Sequence, residues 1–527
     1  MRPPALVTLG LLAAILAGCG PEQAASDTAH SDQPVTGGTL RVALDGDPQC
    51  LDPHQAGNNT ALNVGRQLVD SLTDQHPQSG EIVPWLAERW EVSPDSRRFT
   101  FHLRQGATFS DGTPVDAAAV KANLEDVVKL GARSRLGSSY LAGVQRIDIA
   151  DAHSVAIVFA QPNAQFLQAT STMTLGLLAP STLARPASER CQGQLIGSGP
   201  FVLKQFVHNQ AVSLQARTDY QWPSALAEHA GRAWLEAIEF SIIVESGVRL
   251  GSLASGQIDV NTSVAPQDEP SIEAQGLHIL SRANPGVVFV LALNERAPLL
   301  ADRRVRQAIS RAIDREQFKP LMSSRQKTAT ALLASSTPFY RDFSPLLKAD
   351  PQAARDLLEQ AGWRLAADGV RQKDGQRLSL TLDYWQAVPI LELVQQQLRQ
   401  VGIELQLNKS TISQVSATFG NGVTPINFLN LTRADPDVLR TVFHTASSNL
   451  SNRRPDDIDT ALADSAATLQ PGLRQTLIDQ ASQRLLEEGD AIALLELTTV
   501  IAHRDQVRGL HYEASSRLQF YDTWLRP

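Results

Sequence analysis

The chain has 527 residues, 43% of them hydrophobic, and 55 Asp and Glu against 47 Lys and Arg give a net charge of −8. That modest acidic excess disfavours nucleic acid as a partner. The length exceeds what a single hydrophobic core supports, so two or more lobes are expected.

Residues 1–19 read as a processing signal: Arg2 supplies a positive start, and Ala5 to Leu16 is apolar but too short to span a bilayer. The segment ends in Leu16-Ala17-Gly18-Cys19, which resembles the lipobox of bacterial lipoproteins and makes Cys19 the expected acylation site. Residues 20–36 are rich in Ala, Ser, Asp, Gln and Pro without apolar periodicity, the composition of a flexible tether. No later stretch is long and apolar enough for a membrane helix. The expectation is a soluble chain held at the bacterial envelope only by its lipidated end. Cys50 and Cys191 remain; an oxidising compartment permits a bridge between them, and two buried free thiols fit the sequence equally well.

Leu40, Val42 and Leu44 alternate and predict a strand with one buried face. Asp45, Asp47 and Asp52 follow without the spacing of a calcium loop, so turn capping is expected. Phe99 to Leu103 alternates as a second strand, and Asp111-Gly112 marks a turn. Asp116 is placed to cap a helix with Val120, Leu124, Val127 and Val128 on its apolar face. Val287 to Leu293 reads as a fully buried strand. Asp302 then caps a helix with Val305, Ala308, Ile309, Ala312 and Ile313 on one stripe. A helix with Ala354, Leu357, Leu358 and Ala361 stops at Gly362. The strand of Leu378, Leu380 and Leu382, the helix of Leu391, Val394, Leu398 and Val401, and the strand of Ile403, Leu405 and Leu407 form a strand–helix–strand unit of a parallel layer. Asp457 to Glu488 predicts two helices, and Ile492 to Ala502 a returning strand.

Catalytic motifs are missing from the sequence. There is no Gly-rich phosphate loop ending in Lys-Ser or Lys-Thr, and no serine elbow. Gly197-Ser198-Gly199-Pro200 lacks the elbow's spacing and reads as a tight turn. The eleven histidines are scattered, and His102 and His444 read as structural residues. No enzyme, no cofactor and no protein-held metal is expected.

An ordered series of segments resembles the bacterial extracellular solute-binding proteins of family 5, which include peptide and nickel receptors. It runs through Gly38-Thr39-Leu40-Arg41-Val42, Leu51-Asp52-Pro53, Trp85 to Val92 and Phe99 to Gly106. It continues with Phe109 to Val115, Gly197 to Phe201, Ser255 to Val260, Val305 to Ile309, Ala312 to Glu316 and Leu357 to Trp363. The resemblance covers the chain from about Gly37 onward. It implies the large, type II periplasmic-binding-protein fold, α/β and two-lobed, with an extra subdomain inserted in lobe one at about 78–190. Lobe one would span 37–284, lobe two 285–495, and 496–527 would return to lobe one. The implied mechanism is hinge closure over a peptide or other small-molecule ligand, followed by docking of the monomer on an ABC permease whose separate ATPase supplies the energy.

The same resemblance directs attention to the loop Asn430-Leu431-Thr432-Arg433-Ala434-Asp435-Pro436-Asp437. Peptide receptors of the family carry an aspartate there for the peptide's amino group; here that position falls on Thr432 or its neighbour, and Arg433 puts positive charge there instead. Asp435 is a substitute for that carboxylate or a cap for the helix from Val438. Arg433, Trp385, Thr432, Asp435, Arg133 and Arg135 are the candidate ligand-binding residues. The main expectation is a peptide or peptide-like solute. The alternative is an anionic metal chelate, held by arginines and aromatics, to which Phe289 to Asn294 and Leu177 to Ser181 are similar.

Overall fold

The computed structural model describes residues 33–386, 388–419 and 422–527. Cys19, the signal segment and most of the tether lie outside the described residues. Two large sheets organise the rest. The first has seven strands in the order His278–Ala283, Thr498–His503, Val260–Asn261, Thr39–Leu44, Ala237–Ile242, Ala211–Ala216, Phe201–Val207. The second has five, in the order Glu404–Lys409, Ser379–Tyr384, Ile426–Thr432, Gly286–Leu293, Ala491–Leu495.

The strand Thr39–Leu44 runs parallel to both Ala237–Ile242 and Val260–Asn261, so a long excursion separates sheet neighbours. Within that excursion lies a four-stranded antiparallel sheet of Ala87–Val92, Arg98–Leu103, Ser154–Phe159 and Val144–Asp151. Phe99, Phe159 and Phe166 meet edge to face in its core. The helix Ala117–Leu130 packs beside it, and the Asp116 carboxylate accepts from the Ala119 amide as its cap. Val120, Leu124 and Val127 are buried, but Val128 is half exposed, because the covered stripe is narrower than the apolar run.

The strand Gly286–Leu293 is buried along its whole length. Phe289, Leu291 and Leu293 feed the core on one side of the second sheet, while Val288, Val290 and Ala292 feed the other. A sheet covered on both faces selects a continuous apolar run over alternation. Ser379–Tyr384, the helix Ile390–Gln400 and Glu404–Lys409 form the parallel strand–helix–strand unit. Asp302 caps Arg303–Ala312 by accepting from the Arg304 amide.

The expected single strand from Ile492 to Ala502 is two. Ala491–Leu495 belongs to the second sheet and Thr498–His503 to the first. The outward crossing runs through Asn284 and Pro285, between His278–Ala283 and Gly286–Leu293. The crossings are tied together: the Asn284 amide donates to the Leu497 carbonyl at 2.7 Å, and the Thr499 hydroxyl to the Asn284 side-chain oxygen at 2.7 Å. A paired crossing of this kind lets two α/β lobes rotate without parting.

Candidate functional site

Where the lobes meet, the second sheet supplies a cation. The strand Ile426–Thr432 ends with Thr432 opposite Gly286. The next amide, of Arg433, donates to the Pro285 carbonyl at 2.9 Å, which fixes the side chain's origin beside the crossing. The Arg433 guanidinium donates to Ser139 Oγ at 2.9 Å and to Gln165 Oε1 at 3.2 Å, both on lobe one. It also donates to Thr441 Oγ1 at 2.8 Å on its own lobe, and lies 4.5 Å from the centroid of the Tyr140 ring. Only 3% of Arg433 is exposed. Among the described residues all its hydrogen-bond acceptors are neutral and no carboxylate pairs with it, so a desolvated guanidinium spans the junction.

The acidic neighbours are engaged elsewhere. Asp435 accepts both nitrogens of Arg474, at 2.7 and 3.0 Å, in a buried forked pair. Asp437 holds Arg440 at 2.7 and 2.8 Å. Asp435 is therefore a structural counter-ion. It does not cap the helix Val438–Phe443 either: its carboxylate closes a turn on the Asp437 amide at 2.8 Å, and Asp437 occupies the N-cap position without a side-chain capping bond.

The remaining candidates are dispersed. Trp385, just past its strand, is half-buried and 5.6 Å from the Phe428 ring, packed against both lobe-two cores. Arg133 is exposed in the short turn Gly131–Ser134 and has no hydrogen bond or ion pair among the described residues. Arg135 opens the helix Arg135–Tyr140, whose far end carries Ser139 and Tyr140 to Arg433. Neither Ser139, Tyr140 nor Gln165 carries a signal in the sequence, since the end of one helix and the start of another, distant in the chain, bring them together in lobe one.

Other lobe contacts surround this point. The Gln75 side chain donates to the Ala434 carbonyl at 3.2 Å, and the Ala164 amide to the Ala466 carbonyl at 2.8 Å. Ser323 Oγ donates to Glu269 at 2.5 Å, and Arg325 to Glu273 at 2.6 Å. Near the junction a small recess, with room for about one water, is bordered by Asp74, Gln75, Gln168, Thr172, Glu513 and Ser515. Asp74 also borders a second small recess inside lobe one, against Arg66, Trp85 and Tyr220. Burial pushes the Asp74 carboxyl up to about 6, despite the Ser224 hydroxyl donating to it at 2.6 Å.

Elsewhere in lobe one, Cys50 and Cys191 are joined by a disulfide. Beside it the buried Arg190 pairs with Asp52 at 3.0 Å and Asp126 at 2.8 Å. Asp52 also closes its own turn on the His54 amide, so it is an ion-pair partner as well as a turn residue. Ser198 is buried, and its hydroxyl accepts from the Asp70 amide at 2.8 Å, a structural role. Among the described residues, no group of three or more His, Cys, Asp or Glu is placed to hold a metal ion.

Two α/β lobes with a paired crossing and a desolvated cation at their junction define a class of protein: a receptor that binds between lobes. Comparison with known proteins gives the particular family. The family described as bacterial extracellular solute-binding proteins, family 5 Middle, matches residues 81–449. A probable di/tripeptide-binding protein 5 of Pseudomonas aeruginosa (strain UCBPP-PA14) is 27% identical over 93% of this chain and 96% of that protein. The nickel-binding periplasmic protein of Escherichia coli (strain K12) is 25% identical over 88% of this chain and 90% of that protein. NikA from Brucella suis in complex with Fe(III)-EDTA superposes with a TM-score of 0.79 at 25% identity, covering 93% of this chain and all of that one. The oligopeptide-binding protein AppA from Bacillus subtilis, in complex with a nonapeptide, shares the fold at a TM-score of 0.76 and 20% identity, over 94% and 100% of the two chains.

The chain belongs to the bacterial extracellular solute-binding proteins of family 5. Proteins of this family are substrate receptors for ABC importers and are not enzymes. No helix among the described residues is long and apolar enough to cross a membrane.

Proposed function

We propose that this chain captures a peptide or peptide-like small solute between its lobes and delivers it, as a monomer, to an ABC permease. In this reading lobe one comprises 37–284 and 496–527, lobe two comprises 285–495, and a subdomain at about 78–190 is inserted in lobe one. Residues 20–36 tether the receptor to the envelope through acylated Cys19.

The observation that carries the reading is the reach of Arg433. Its bonds to Ser139 and Gln165 exist only with the lobes together, so closure and the state of the cleft are energetically coupled. A solute that meets Arg433 and lobe one at once gains affinity only in the closed arrangement, and its binding shifts the population toward it. The 27% identity to a di/tripeptide-binding protein supports a peptide ligand.

The second reading, an anionic metal chelate, is favoured by the nickel-binding relative and by a junction cation with neutral partners. A metal carried in this way would arrive wrapped in its own chelator. The discriminating experiment is mass spectrometry of solute released from natively purified protein, with titration calorimetry against short peptides and against nickel with a chelator. Heats with peptides alone support the first reading and heats with the chelate alone support the second. An unaltered affinity in Arg433→Ala would remove Arg433 from the site.

A further inference from the structure

Away from Arg433, the lobes also meet where the helix Glu269–Ala274 touches the turn of residues 323–326. The helix belongs to lobe one: its Ile272 is buried with Ala43, Leu253, Ile258 and Ala502. With Ile272 turned inward, Glu269 and Glu273 stand one turn apart on a common face. The turn belongs to lobe two, since just beyond it the Ala329 amide donates to the Leu494 carbonyl. The turn also holds its own shape. The Gln326 amide donates to the Ser323 carbonyl at 3.1 Å, and the Arg325 amide to Ser323 Oγ at 3.0 Å.

Glu269 is 5% exposed, yet among the described residues every donor to its carboxylate comes from the other lobe. Ser323 Oγ donates at 2.5 Å and Ser324 Oγ at 3.5 Å, and Arg325 Nε stands at ion-pair range, 3.8 Å. A terminal nitrogen of Arg325 donates to Glu273 at 2.6 Å. Among the described residues Arg325 is the one cation within ion-pair range of either carboxylate. A carboxylate covered by hydroxyls alone is costly, and a neighbouring cation offsets that cost. When the lobes part, water solvates both charges instead.

We propose that Arg325 and Glu269 set the balance between closed and parted lobes: Arg325 supplies the charge that lets lobe two cover Glu269. The contact uses neither Arg433 nor any other candidate ligand residue, so it shifts the closed fraction on its own. Apparent affinity for any solute scales with that fraction. This rests on the two-lobed receptor reading, and it holds whichever solute is carried.

The test is deuterium exchange on the full chain. The Ala164 amide donates to the Ala466 carbonyl from one lobe to the other, so its exchange reads the parted fraction. Amides of Arg98–Leu103 and Gly286–Leu293, each inside one lobe, read folding. Arg325→Gln should speed exchange at Ala164 about fivefold or more and leave both strands unchanged. Adding Glu269→Gln to Arg325→Gln should restore most of the protection, because no unpaired charge is left to cover. An unchanged Ala164 rate in Arg325→Gln overturns the proposal and leaves the receptor reading standing. A double variant as fast as the single one also overturns it, since packing and not charge would then hold the contact. If Ala164 in the wild type exchanges as slowly as the strands, the lobes do not part in solution, and hinge closure falls with the proposal. Should Arg325→Gln fail to fold, Glu273→Gln decides: it removes the closest partner of Arg325, and no acceleration at Ala164 overturns the proposal.

Discussion

Gly286 and Arg433 are packed backbone to backbone: a Cβ on Gly286 would lie 2.7 Å from the Arg433 amide nitrogen. That nitrogen is the atom bonded to the Pro285 carbonyl, so the strand that starts lobe two and the arginine that reaches lobe one share a single anchoring point. Gly286 also has φ +114°, a region closed to residues with a side chain. Gly286→Ala is expected to destabilise the fold by about 1–3 kcal/mol and to weaken ligand binding beyond that. Urea unfolding and calorimetry on the same preparation check it. Unchanged binding would show that the crossing does not position Arg433.

The Asp435–Arg474 pair is buried and forked. Arg474→Ala leaves Asp435 charged and unpaired, at an expected cost of about 3–5 kcal/mol in denaturant unfolding. The double variant Asp435→Leu, Arg474→Met should recover most of that loss. A double variant as unstable as the single one would mean that packing, rather than charge, is what Arg474 supplies.

Stability should depend on pH through Asp70. Its carboxyl is buried and pushed up to about 7, although it accepts from the Tyr220 hydroxyl at 3.1 Å and from the Trp222 indole at 3.0 Å. Unfolded carboxylates titrate near ~4, so between about pH 4 and 7 the folded chain binds more protons than the unfolded one. The contribution of Asp70 is complete below pH ~4 and is lost as pH rises through 7. From pH 5 to pH 8 the wild type should lose on the order of 2 kcal/mol more than Asp70→Asn. Parallel pH profiles for the two proteins would exclude Asp70 as the source.

The Cys50–Cys191 bridge closes a loop with a sequence separation of 141 and lies beside the buried Arg190 network. Reduction should cost about 2–5 kcal/mol. Thermal unfolding with and without reductant measures it, and the Cys50→Ser, Cys191→Ser protein should no longer respond to reductant. If the wild type is equally insensitive, the bridge contributes no stability.

Much of the fold was legible because local patterns agree with their surroundings. Leu40, Val42 and Leu44 alternate since one face of their strand is core, and Asp116 and Asp302 precede helices whose free amides need an acceptor. The errors have the same origin. Val128 extends an apolar run past the edge of its buried stripe, and the continuous run from Ile492 to Ala502 hides a passage between two sheets that both bury it. The site was legible only in part. Arg433 stood out by its position in a family loop, whereas the pairing of Asp435 with Arg474 and the contact of Trp385 with Phe428 had no signal in the sequence.

By itself the sequence determined the α/β elements, their caps and the family, because these depend on neighbours within a few turns of chain. Only the tertiary structure decided that Arg433 meets Ser139 and Tyr140, and that Cys50 finds Cys191. Those partners lie 141 residues apart for the two cysteines and 294 for Arg433 and Ser139. Desolvation of a charge depends on every atom folded around it, which no local stretch of sequence records.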